Sequence, residues 1–166
     1  MFKRAAAVIA LTAGAVLGGQ AAPASAASAA PAVGEPEVAW VNDNVFLSAD
    51  GSSATVLGKY RCSGGQTGSH LWVSVKQGPG IDAEHTGSQY ASAWYDTNYY
   101  FGQDPAGMTL DCDGRWHVSR ITVKPVFGAL DAGSAYIQWC VYDSIGGDAS
   151  QNQFSTVKVS HGSHGS

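Results

Sequence analysis

The side chains that could do chemistry are few and lie far apart along the chain. His70, His85 and His117 belong to separate stretches, and none stands in a recognised catalytic signature. Serines are plentiful, yet the nucleophile elbow G-x-S-x-G does not occur. Hydrolysis would therefore need distant residues to converge as nucleophile, base and orienting group. The run "DCDG" at Asp111–Gly114 has the beginning of a D-x-D-G calcium loop. Arg115, Trp116 and His117 follow it, however, where such a loop needs further oxygen ligands and a closing carboxylate. Asp113-Gly114 reads instead as a turn leading into a strand. The terminal "HGSHGS" brings His161 and His164, two ligands where a structural zinc site takes four. No catalytic residue, metal or cofactor is expected, and the chain reads as a non-enzyme.

A binding surface has a better candidate. "QYASAWYDTNYYF" packs six aromatic residues into the twelve positions from Tyr90 to Phe101, with Asp96 the only charge. Tyrosine and tryptophan offer a broad apolar face with a polar tip, which suits stacking on sugar rings. Packing is the competing explanation, because aromatic residues are also good strand formers. Alternation puts Tyr90 and Trp94 on one side and Tyr95 on the other. The expectation is that Trp94 and Phe101 lie mostly inside, while Tyr95, Tyr99 and Tyr100 form the ligand-contact surface. The ligand would be a carbohydrate or another cell-surface component.

Cys62, Cys112 and Cys140 allow one bridge and leave one thiol. An immunoglobulin-type bridge would join Cys62 to Cys140 across Trp72. Cys140 shares the polar side of its strand with Gln138, which weakens that pairing. Cys62 ends one expected strand and Cys112 precedes another; if the two run antiparallel, both cysteines reach the same sheet edge. That argument favours Cys62–Cys112, with Cys140 a free thiol.

"GKYRC" at Gly58–Cys62, "VSVKQG" at Val73–Gly78 and "CDGRWHV" at Cys112–Val118 carry a further signal. Over roughly residues 38 to 125 the chain resembles a family of small exported actinobacterial proteins, a single immunoglobulin-like domain of unknown function. The resemblance implies that Cys62 and Cys112 are the family's pair. It brings no activity, and Cys140 and the aromatic stretch depart from its pattern.

The elements that must position these residues read as strands. Short runs rich in Val, Tyr, Trp and Thr recur between Gly, Asp, Asn and Ser clusters, and no capped helical repeat follows the first residues. Strands are expected at Val38–Val41 or Val45–Ser48, then near 55–62, 71–77, 90–95, 115–123, 135–143 and 154–159. Asp50-Gly51 is a hairpin turn, and "KQGPGIDAEHTG" is a loop broken by Gly78, Pro79 and Gly80. Leu71, Val73 and Val75 should face the core opposite Trp72, Ser74 and Lys76; Ile137, Trp139 and Val141 should oppose Gln138, Cys140 and Tyr142. Between Trp116 and Val123 the apolar positions change phase, which predicts a bulge near Ser119-Arg120. The fold class is all-β, an immunoglobulin-like antiparallel β-sandwich of about seven strands with one disulfide.

The ends place the protein. Lys3 and Arg4 precede an apolar run from Ala5 to Gly18, and Ala24 and Ala26 fit a signal-peptidase site. The run is shorter than the roughly 20 apolar residues a spanning helix needs. Residues 1–26 thus read as a secretion signal, 27–36 as a flexible leader, 37–160 as the β-domain and 161–166 as a disordered tail. Without Lys3 and Arg4, seven basic residues face thirteen acidic ones, a net of −6. Nucleic acid and membrane insertion are not expected, and the exported domain should be a monomer. A small protease inhibitor or hydrolase is the alternative; the nearest inhibitory loop, "CSGGQTGSH", is too glycine-rich to be a rigid bait.

Overall fold

The computed structural model describes residues 34–67, 69–97 and 110–159. The signal segment, most of the leader, the tail and Tyr99, Tyr100 and Phe101 lie outside them. The described residues form eight strands: β1 (Glu37–Val41), β2 (Asn44–Leu47), β3 (Ala54–Arg61), β4 (His70–Gln77), β5 (Ala93–Asp96), β6 (Trp116–Phe127), β7 (Gly133–Tyr142) and β8 (Asp148–Val159).

Both candidate first strands exist, and together they act as one bulged strand. β1 pairs with the far half of β3 and β2 with its near half, while β2 also pairs parallel with β8. Every other pairing is antiparallel. The ladder runs β3-β2-β8-β7-β4-β5-β6 and returns from β6 to β3, closing seven strands into a barrel. The expected open sandwich is therefore corrected to a closed ring, because β5 and β2 each bridge two walls. Closure leaves fewer unpaired backbone groups at sheet edges.

Strand alternation fills the interior. β3 is buried at every second residue, from Ala54 through Val56 to Tyr60, and Leu71, Val73 and Val75 of β4 face Ile137, Trp139 and Val141 of β7 as expected. Trp139 is fully buried and crosses the interior to β3. A Cβ on Gly58 would stand 2.7 Å from Trp139 Cζ2, so only glycine fits at that position. Two tyrosines close the ends of the core. The Tyr60 hydroxyl accepts a hydrogen bond from the Asp111 N–H (3.2 Å), and the Tyr95 hydroxyl donates to the Gly51 carbonyl (2.5 Å). Each buries its ring and ties its polar tip to backbone.

Two expectations about phase fail. β6 pairs with β3 without interruption from Trp116 to Val123, so no bulge forms at Ser119-Arg120. His117, Ser119 and Ile121 face inward instead, partly covered, and Trp116 and Val118 stay exposed. β5 is shorter than expected: Tyr90 ends a 3₁₀ turn, Ser88–Tyr90, and the strand starts at Ala93. Ala93 and Tyr95 take the core side, which sends Trp94 outward, half-buried.

Candidate functional site

The Cys62–Cys112 disulfide stands at the end of the β3–β6 ladder, with 4.6 Å between the Cα atoms. The turn that presents Cys112 is built from its neighbours. Gly114 has φ of 81°, a left-handed conformation that favours glycine, and its N–H donates to the Cys62 carbonyl (2.8 Å). The Gly65 N–H in turn donates to the Cys112 carbonyl (2.9 Å). Asp113 Oδ1 accepts from the Arg115 N–H (2.9 Å) and sits 2.7 Å from His117 Nε2. The His117 hydrogen bond, followed by that of the Arg115 backbone, holds the Asp113 carboxyl below its ordinary pKa. An Asp–His pair supplies two parts of a catalytic triad. Here the imidazole stacks on Tyr60, with 5.8 Å between ring centres, and the pair braces the turn. Cys140 is a buried free thiol whose pKa burial pushes up, a poor state for a nucleophile.

The aromatic stretch does not make the expected surface. Tyr95 is 1 % exposed and its hydroxyl is tied to Gly51, so it offers no face to a ligand. The reason is register: Tyr95 lies opposite Val75 of β4, on the core side of the ladder. Tyr99 and Tyr100 lie outside the described residues.

A different surface collects aromatic and charged groups, and sequence reasoning missed it. The outward positions of β1, β3 and β6 form rows across the strands. One row holds Glu37, Arg61 and Trp116; the next holds Trp40, Lys59 and Val118; Leu57 and Arg120 follow. Trp40 and Trp116 remain 37 % and 39 % exposed, on adjacent rows and two strands apart. The Arg61 guanidinium lies 4.8 Å from the Trp116 ring centre and Lys59 Nζ 5.5 Å from it. Both cations are thereby held on a rigid aromatic plate. Arg61 also pairs with Glu37. Arg115, in the turn before β6, lies 4.0 Å from Asp113, and Lys124, further along β6, stands opposite Asp96 of β5 beyond this face. Three of the seven basic residues beyond residue 26, Lys59, Arg61 and Arg120, thus share the face, with Glu37 their neighbouring acid. Cross-strand pairing creates this cluster, since the two halves are more than fifty residues apart in the chain.

The opposite wall carries a second, buried polar group. On the outward side of β4, β5 and β7, Lys76 is 5 % exposed and its Nζ donates to Thr86 O (3.0 Å) and to Gln138 Oε1. Trp72 and Trp94 lie 5.9 and 6.0 Å from the ammonium nitrogen. Ser74 and Asp96, both buried, pair across β4 and β5 on the next row. Burial pulls the Lys76 pKa below its usual value, and the neighbouring Cys140 and Asp96 partly restore it. Among the described residues no group of three or more metal-ligating side chains comes together. No family model matches this chain, and no curated protein matches it significantly.

Proposed function

We propose that the protein is an exported binding module, not an enzyme, and that the outer face of β1, β3 and β6 takes an anionic carbohydrate polymer of the cell surface. One observation carries this reading: an acidic domain sets three of its seven basic residues, Lys59, Arg61 and Arg120, on one face and interleaves them with two half-exposed tryptophans. Sugar rings stack on indole faces, and acid groups along a polymer meet Lys59, Arg61 and Arg120. Charge segregation of this kind raises the local concentration of an oppositely charged partner.

Export rests on the amino-terminal signal pattern and is supported by the disulfide, which persists in oxidising compartments. Among the described residues no helix is long and apolar enough to cross a membrane. We also read the barrel as a variant of an immunoglobulin-like domain. β3 with β6, and β4 with β7 and β8, match the pairings of its two sheets, with β5 and β2 joining them at the edges. The bridge differs from the immunoglobulin type, because it stays within the β3–β6 wall.

Affinity electrophoresis through gels carrying acidic or neutral polysaccharides tests the function. Retardation by the acidic polymers, relieved by salt, is expected. Equal mobility in every gel, or retardation by nucleic acid alone, would overturn the reading.

A further inference from the structure

The buried group on the opposite wall has the parts of a reaction that binding does not use. Lys76 supplies an amine and Gln138 a carboxamide, on neighbouring strands and one row apart. The β4–β7 register sets Ser74 opposite Gln138 and Lys76 opposite Tyr136, so all three side chains share the outward side. Lys76 Nζ is hydrogen-bonded to Gln138 Oε1, and the Ser74 hydroxyl donates to the same oxygen at 3.5 Å. Asp96 is 1 % exposed and stands opposite Ser74 on β5, with Lys124 of β6 opposite it on its other side. Trp72 and Trp94 flank the amine with their ring faces.

We propose that Lys76 and Gln138 become joined by a self-formed isopeptide bond between Lys76 Nζ and Gln138 Cδ, with Asp96 carrying the proton. Burial favours the neutral amine, because the charged form loses its hydration. The nitrogen lone pair then adds to Gln138 Cδ. The Ser74 hydroxyl stabilises the negative charge that develops on Oε1. The Asp96 carboxylate takes a proton from Nζ and passes it to the Gln138 amide nitrogen. The bond from Cδ to that nitrogen breaks, one ammonia leaves, and the amide between Lys76 and Gln138 remains. No oxidant, metal or cofactor enters the balance. The flanking tryptophans exclude the water that would otherwise compete as nucleophile.

The product fastens β4 to β7 on the side of the barrel away from the Cys62–Cys112 bridge. It is independent of the ligand-binding face and would stand if that reading failed.

Mass spectrometry of the exported protein, with its disulfide intact, tests it directly. The intact mass should fall short of that of the signal-cleaved sequence by one ammonia beyond the change due to the disulfide. Proteolysis should release a branched peptide containing both Lys76 and Gln138. Lys76→Arg should restore the full mass, as should Asp96→Asn. A wild-type protein of full mass, with Lys76 and Gln138 in separate unmodified peptides, overturns the proposal. So does an ammonia loss mapped to any other residue. A branched peptide that persists in Asp96→Asn overturns the proton transfer assigned to Asp96.

Discussion

Gly58 has no side chain to spare for the core because Trp139 already occupies the space where a Cβ would stand. Gly58→Ala should therefore destabilise the barrel by about 1–3 kcal/mol, the usual cost of overpacking a filled interior; a thermal melt reads the difference. Tyr95 is the sharper case, since the same residue type could serve a ligand or a core. Tyr95→Ala should cost about 3–5 kcal/mol in urea denaturation, as for a large buried aromatic. Tyr95→Phe should cost about 1 kcal/mol, because it removes only the hydrogen bond to Gly51. Asp50 governs the turn beside it. The Ser48 hydroxyl, then the backbone and hydroxyl of Ser52, hold its carboxyl at about 2, against 3.8 ordinarily. A depressed carboxyl stabilises the fold above its unfolded pKa and loses that contribution as pH falls through the folded value. The turn should hence weaken between about pH 4 and pH 2, and the Asp50 side-chain NMR signal should titrate near the lower end.

The inward faces of β4 and β7 were legible in the sequence because large apolar residues recur at every second position, Leu71, Val73 and Val75 in one and Ile137, Trp139 and Val141 in the other, and these are the residues that face the core. Those of β6 and β5 were not, for a physical reason. In β6 the outward positions hold Trp116 and Val118, so hydrophobicity does not mark the buried side. In β5 every residue is apolar or aromatic except Asp96, and Asp96 is itself buried, which leaves no polar marker of phase. A cluster such as Lys59, Arg61 and Arg120 has no local signature at all, because only the β3–β6 pairing assembles it. The bridge between these two strands was readable from the common edge of Cys62 and Cys112, and it closes a separation of 50 residues. The chain-entropy model gives about 4 kcal/mol for a loop of that length. Replacing both cysteines with alanine should lower the melting temperature accordingly. A change under about 1 kcal/mol would mean that the closed loop contributes little to stability.

At the scale of the molecule, the two walls of the barrel differ in character. The β4–β5–β7 wall hides its lysine, aspartate and serine, whereas the β1–β3–β6 wall displays its cations and tryptophans. Net charge alone conceals that contrast, since the acidic total suggests a surface that repels polyanions. For an acidic polysaccharide, Trp116→Ala should weaken binding by about 0.5–1.5 kcal/mol, beyond any lost buried area. Arg120→Glu should weaken it further at low salt than at high salt, because screening removes long-range attraction first. Neither change touches the buried core, so both variants should melt close to wild type. The most direct measurement is an NMR titration of labelled protein with an acidic oligosaccharide, following every backbone amide and indole N–H. The largest shifts should fall on Trp40, Lys59, Arg61, Trp116, Val118 and Arg120, and Trp72 and Trp94 should stay unmoved. Shifts centred on β4, β5 and β7, or none at saturating ligand, would contradict the account.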